Sequence, residues 1–178
     1  ILSSLISAES IHYLLKIANK FDVKIIIDLN WREVFWDNAN YSSETTKKER
    51  VDLIKKFLNH AHFLKLAKEE AILFFENEDP LQISESMLKK CDVIITDGAN
   101  PNSWFINGVQ GTTAVINSSN ILDTTGAGDA FLAGLISQLL SSDYPSNESE
   151  IQNCVSFASV CGLLTCLGEG AIEEQPDH

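Results

Sequence analysis

The stretch Asp123-Thr-Thr-Gly-Ala-Gly-Asp129 decides the fold, because it leads from a loop into the long apolar helix predicted to begin near Ala127. Gly126 and Gly128 let the backbone turn tightly and approach a ligand. The first free N–H groups of the helix, with the positive end of its dipole behind them, form a binding site for an anion. Asp129 in the first turn would lie beside that anion and could accept a proton from an attacking hydroxyl.

Other glycine-rich elements match this stretch less well. A dinucleotide-binding fingerprint, G-x-G-x-x-G, needs a glycine at the position held by Phe131. A Walker A loop, G-x-x-x-x-G-K-[ST], occurs nowhere in the chain. The simple structural alternative is a helix cap of small residues in which Asp129 is a surface acid favoured by the dipole.

Strand and helix patterns alternate along the rest of the chain. Apolar runs at 23–27, 62–66 and 93–95 predict buried strands separated by helices. Asn107-Gly108 predicts a hairpin between strands at 103–106 and 112–116, because both residues can take positive φ. Together these patterns predict an α/β fold with a mostly parallel sheet covered on both faces and antiparallel strands on one side.

Composition limits the classes of partner. The chain has 178 residues, is 44% hydrophobic and carries a formal net charge of −12. This length suits one domain or a large part of one. The acidic balance argues against nucleic-acid or anionic-membrane partners, and no apolar run is long enough to cross a bilayer. The same acidic balance predicts a small-molecule partner. The four cysteines form no C-x-x-C pair, which predicts reduced packing residues of an intracellular protein.

The string at 123–129, followed by an apolar helix, resembles the second signature of the PfkB (ribokinase-like) sugar kinase family, D-T-x-G-A-G-D. The resemblance implies a three-layer α/β/α fold. It also implies that Gly126, Ala127 and Gly128 form the anion hole for the transferred phosphoryl group. The resemblance further implies that Asp129 is the base that activates the sugar hydroxyl.

Two further segments are similar to family elements. Asp28-Leu-Asn-Trp-Arg32 resembles the D-x-N-x-R string of the fructokinase and ketodeoxygluconate-kinase branch, in which the arginine faces the nucleotide phosphates. A guanidinium suits phosphate recognition, although Arg32 as a surface loop residue is the alternative. Glu70 falls on the glutamate of the family's N-x-x-E element, which holds a magnesium–water network. Ala67 replaces the usual asparagine, so one polar ligand is missing.

The resemblance also implies a nucleotide pocket and a cation site. Thr96 and Gly98 occupy the T-x-G nucleotide contact, with a plain turn as the alternative. Ala158 and Gly162 would let an adenine approach, with tight helix packing as the alternative. A monovalent cation such as K⁺ would be bound through backbone carbonyls, at positions that align with Asp123, Thr125, Thr165, Gly168 and Gly170.

The resemblance covers 1–178 as the C-terminal part of one PfkB kinase domain, without its N-terminal half and lid. It implies ATP- and Mg²⁺-dependent phosphorylation of an unspecified sugar hydroxyl in the cytoplasm or a plastid, and it is compatible with a homodimer. The alternative is a catalytically silent PfkB-like binding or assembly subunit, because Ala67, Glu169 and Glu174 depart from the family pattern. A nucleoside kinase is disfavoured by the string ending at Arg32. We expect 1–178 alone to be poorly folded and inactive.

Overall fold

The computed structural model describes residues 5–32, 44–141 and 143–172. Within these ranges the chain alternates between helices and the strands of one five-stranded sheet. The helices are α1 (Leu5–Lys20), α2 (Glu44–Leu58), α3 (Lys68–Phe75), α4 (Pro80–Ser86), α5 (Ala127–Ser141) and α6 (Glu148–Thr165). The strands are β1 (Ile26–Asp28), β2 (Phe63–Ala67), β3 (Asp92–Asp97), β4 (Asn100–Ile106) and β5 (Val109–Thr113).

The sheet has the strand order β1-β2-β3-β4-β5. Strands β1, β2 and β3 run parallel, and β4 and β5 are added antiparallel to them. Each parallel connection passes through a helix, as such crossovers require. The α/β prediction with a parallel part and an antiparallel side is therefore confirmed.

Two hydrophobic clusters cover the two faces of the sheet. One joins Leu64 and Leu66 of β2 to Leu58 of α2, Phe74 of α3 and Ile83 of α4. Successive side chains of a strand point to opposite faces, so Phe63 faces the other way. The second cluster contains Phe63 together with residues of β3, β4, α5 and α6. The result is the three-layer α/β/α arrangement expected of a ribokinase-like fold.

Two strand predictions were wrong in their boundaries. The run at 23–27 contributes only its last part to β1, and the side chains of Val23 and Ile26 are 53% and 37% exposed. An apolar run in a sequence does not show at which residue a strand begins to hydrogen-bond to the neighbouring strand. The second hairpin strand is Val109–Thr113 and not 112–116, because Asn107 and Gly108, at φ 50° and 81°, form a tight turn after which pairing resumes at once.

Among the described helices, none combines the length and apolar character needed to cross a membrane.

Candidate active site at the carboxyl ends of the strands

The turn into α5 is built as the sequence predicts. Gly126 has φ 82°, a left-handed conformation that favours glycine. A Cβ on Gly126 would also lie 2.7 Å from the Cβ of Ala171. The Ala130 N–H donates to the Gly126 carbonyl at 2.9 Å and opens the helical ladder. The Ala127 N–H donates to the Thr124 carbonyl at 3.2 Å. The N–H groups of Gly128 and Asp129 lie at the N-terminus of α5, where the helix dipole favours negative charge.

A cavity of about 310 Å³ lies beside this turn. It is bounded by the carboxyl end of β3, the first turns of α5 and the second half of α6, where an open α/β sheet binds its ligands. The structure brings together at this cavity five of the residues predicted to bind the nucleotide or its phosphates: Thr96, Gly98, Ala127, Gly128 and Gly162.

Small residues in α6 allow that helix to approach α5. A Cβ on Gly162 would lie 3.0 Å from the Ala127 carbonyl oxygen, so a side chain there would push α6 away from the first turn of α5. Ala158 is fully buried, and its Cα lies 3.3 Å from the position of a Cβ on Gly134. Ala158 thus packs between the helices and is not among the cavity-lining residues, and its predicted nucleotide contact stays a prediction.

Asp129 lies in the first turn of α5 and its side chain is exposed. An exposed carboxylate in a first turn is stabilised by the helix dipole and accessible to a ligand. It follows Gly128, which lines the cavity, and its role as the base stays a prediction.

Asp123 ties the loop before α5 to the segment after α6. Its Oδ1 accepts hydrogen bonds from the Thr125 N–H at 2.9 Å and the Thr125 hydroxyl at 2.7 Å. Its Oδ2 accepts from the Gly170 N–H at 3.0 Å. These hydrogen bonds lower the pKa of Asp123, and the bond from the Thr125 N–H makes the largest contribution.

The residues predicted to bind a monovalent cation therefore lie on two neighbouring segments. Thr165 is fully buried and its hydroxyl donates to the Cys161 carbonyl at 3.1 Å, and Gly168 is also buried. Binding of the cation by the backbone carbonyls at these positions stays a prediction.

Glu70 is engaged by backbone groups of two separate segments. Its Oε2 accepts from the Ala67 N–H at 2.8 Å and its Oε1 from the Trp31 N–H at 2.5 Å. Burial raises the pKa of Glu70, and the two N–H groups oppose that shift. The ring of Trp31 packs edge-on against Phe74 with centroids 5.4 Å apart. Glu70 thus connects the loop after β1 to the start of α3 by hydrogen bonds. This structural role is independent of the predicted contact with a magnesium-bound water.

Arg32 follows β1 at the same end of the sheet. Its side chain is exposed, and its Nε donates to the Asn30 Oδ1 at 3.3 Å. Neither Arg32 nor Glu70 is among the residues lining the 310 Å³ cavity. The predicted site residues therefore form two groups at the carboxyl ends of the strands.

Lys65 was missed by the sequence prediction. The residue is only 5% exposed, and its Nζ lies 2.7 Å from Asp28 Oδ2 and 3.4 Å from the position of a Cβ on Gly128. The available signal was a lysine between Leu64 and Leu66 in a buried strand, where a charged residue is costly unless it is paired.

The fold and this cavity place the protein among the open α/β proteins, which bind ligands where their strands end. The chain belongs to the pfkB family of carbohydrate kinases, whose family model matches residues 1–178. The family resemblance drawn from 123–129 is confirmed.

Similar proteins include several fructokinases. The chain is 27% identical over 168 residues to "Probable fructokinase-6, chloroplastic" of Arabidopsis thaliana, covering 90% of this chain and 41% of that protein. It superposes with a TM-score of 0.80 and 24% identity on a Vibrio cholerae fructokinase bound to fructose, ADP and calcium, covering 98% of this chain and 55% of that one.

A Xylella fastidiosa fructokinase with bound ATP gives a TM-score of 0.78 and 21% identity, and covers 95% of this chain and 53% of that one. These solved structures establish the shared fold. The chain spans about half the length of the relatives that it matches.

Proposed function

We propose that the protein phosphorylates a sugar hydroxyl with ATP as the phosphoryl donor. The observation that carries the proposal is the N-terminus of α5, which opens beside the 310 Å³ cavity with Asp129 in the same turn. Similarity to fructokinases crystallised with fructose and ADP or with ATP supports it. A catalytically silent binding subunit would need neither a carboxylate nor an open helix N-terminus at this point.

In this reaction the sugar hydroxyl oxygen attacks the γ-phosphorus of ATP. A new O–P bond forms while the bond from the γ-phosphorus to the β,γ-bridging oxygen breaks, and ADP leaves with that electron pair. The hydroxyl proton passes to the Asp129 carboxylate, which later releases it to water. The N–H groups of Gly126, Gly128 and Asp129 stabilise the negative charge of the transferred group, so catalysis consists of positioning and electrostatic stabilisation.

The walls of the cavity suit the adenosine part of the nucleotide. Apolar side chains, including Ile116 and Phe131, line it together with Thr96 at the end of β3. On its floor the Asn102 amide donates to the Ser159 hydroxyl at 3.0 Å. A mostly apolar cavity with a few polar groups is typical of sites for a planar base.

The residues present fit a magnesium ion that is bound mainly through phosphates. No group of three or more metal-ligating side chains converges anywhere in residues 5–32, 44–141 or 143–172. Magnesium commonly keeps most of its waters and is bound by substrate phosphates with one or two carboxylates. Glu70 would hold one such water, and the ion would supply neutralisation of phosphate charge. A K⁺ ion on the carbonyls of the loops around Asp123 and Gly170 would add to that neutralisation.

The test is ADP release by the full-length protein with fructose, ribose, ketodeoxygluconate and adenosine. One substrate should give turnover, and Asp129→Asn should lower kcat by about 100- to 10,000-fold while ATP binding is retained. Asp52→Asn, at an exposed position of α2, is the matched control and should leave kcat unchanged. Unchanged turnover in Asp129→Asn would overturn the role of Asp129. A folded protein that binds ATP and phosphorylates none of the four would favour the silent subunit.

A further inference from the structure

Lys65 is a buried charge in the middle of a strand. It is 5% exposed and is flanked along β2 by fully buried Leu64 and Leu66. Because side chains alternate along a strand, Lys65 points to the same face as Phe63, which packs with α5 and α6. Burying an ammonium group costs several kcal/mol unless other groups compensate for the lost hydration. The presence of a charged residue at this buried strand position therefore calls for an explanation.

Asp28 supplies part of the compensation. The two residues are register partners on neighbouring parallel strands, and the Lys65 Nζ lies 2.7 Å from Asp28 Oδ2. Their side chains are 7% and 16% exposed, so the pair is shielded from water. A carboxylate at this distance accepts one of the three hydrogen bonds that an ammonium group can donate.

The same ammonium lies against the first turn of α5. Its Nζ is 3.4 Å from the position of a Cβ on Gly128, and that position is open because residue 128 is a glycine. The N-terminus of a helix carries a partial positive charge. Lys65 and the α5 N-terminus are therefore like charges in contact, an arrangement that a bound anion would stabilise.

We propose that Lys65 contacts the transferred phosphoryl group of ATP and that Asp28 positions it for this contact. This inference rests on the proposed kinase function and adds a catalytic residue to it. The Lys65 ammonium donates a hydrogen bond to a non-bridging oxygen of the γ-phosphoryl group. It would neutralise charge from the β2 side while the helix N–H groups act from the α5 side. Asp28 is a positioning residue, since it acts through Lys65.

A purely structural ion pair is the competing explanation, and Lys68 shows the difference. Lys68 follows β2 at the start of α3, is 39% exposed, and pairs with Glu78 and Asp97 at 3.2 Å each. An exposed ion pair of this kind contributes little to stability. Lys65 in contrast is buried beside Gly128, so Lys68→Met is a matched control for a substitution at Lys65.

The experiment measures kcat and the affinities for ATP and ADP by titration calorimetry, in the full-length protein and in Lys65→Met. ATP affinity should fall at least 10-fold while ADP affinity changes less than about 3-fold, because only ATP has the γ-phosphoryl group. We expect kcat to fall about 100-fold, as on removal of one donor to a transition state. Lys65→Arg should recover part of kcat, and Lys68→Met should leave kcat and the ATP-to-ADP affinity ratio unchanged.

Lys65→Met leaves Asp28 without its cation, so the neutral pair Asp28→Asn/Lys65→Met is measured as well. If that folded double variant keeps the wild-type kcat and ATP preference, the ion pair is structural and the proposal for Lys65 is wrong, while the kinase function stands. The wild-type protein could instead phosphorylate no sugar while the Lys65→Met variant loses the preference for ATP over ADP. In that case the proposal for Lys65 stands and the kinase function fails. The two failures are thus distinguishable.

Discussion

The α5–α6 contact and the α1–β1 edge are packed in opposite ways. Between α5 and α6, a Cβ on Gly134 would lie 2.8 Å from the Cys161 sulfur, and Leu135 is fully buried. At the α1–β1 edge, Leu14 and Phe21 are 62% and 66% exposed. The helix pair that carries the turn at 126–129 therefore has its own core. At the α1–β1 edge Leu15 and Ile27 are buried, but several other apolar side chains are exposed in the described residues.

The largest expected effect concerns residues 1–178 expressed alone. Because apolar side chains of α1 and β1 are exposed, we expect this chain to unfold without a cooperative transition, to bind a hydrophobic dye and to phosphorylate nothing. Calorimetry, dye fluorescence and the ADP-release assay measure these three properties. A sharp cooperative melt that shifts upward with ATP would contradict the expectation.

The next effect tests whether the α5–α6 core supports the full-length protein. Leu135→Ala should lower the free energy of unfolding by about 2–5 kcal/mol, because it opens a cavity at a fully buried site. Leu140 lies on the same helix and is 79% exposed, so Leu140→Ala should change stability by less than about 0.5 kcal/mol. Chemical denaturation of both variants makes the comparison. Equal losses would show that the exposure of these residues in the described chain does not represent the full-length protein.

The sequence predicted the strands and the turn because local chemistry determines them. Gly126 lies at positive φ, where glycine is favoured, and Asn107-Gly108 forms the predicted tight turn. Periodicity located the buried stripe of α5 through Phe131, Leu135 and Leu139, which are all buried.

The contacts between distant segments could not be predicted in this way. The approach of Lys65 to Gly128 depends on how β2 packs against α5, and a one-dimensional pattern contains no such distance. Glu70 accepts a hydrogen bond from Trp31, 39 positions earlier in the chain, for the same reason. Sequence patterns do not predict such long-range pairs, and the contacts of Lys65 with Asp28 and of Asp123 with Gly170 are also of this kind.

The smallest expected effect is a pH dependence of stability that arises at the α1–β1 edge. His62 Nδ1 accepts a hydrogen bond from the Ile25 N–H at 3.0 Å, just before β1, which requires that this nitrogen carry no proton. Burial, followed by the charges of Lys89 and Lys24, lowers the pKa of His62 below 6.5. The folded state therefore binds a proton less readily than the unfolded state. The contribution of His62 to stability is complete above pH 6.5 and is lost as the pH falls through the lowered pKa.

Melting temperatures between pH 7.5 and 5 would measure this loss in the full-length protein. His62→Gln should remove the part of the slope that His62 causes, because glutamine does not titrate. His60 is the matched control, because it is exposed and lies two positions earlier, after α2 has ended at Leu58. Its substitution by glutamine should leave the slope unchanged. A slope that is identical in wild-type and His62→Gln proteins would show that the bond to Ile25 does not depend on the protonation of His62. His62 would then contribute nothing to the acid sensitivity of the α1–β1 edge.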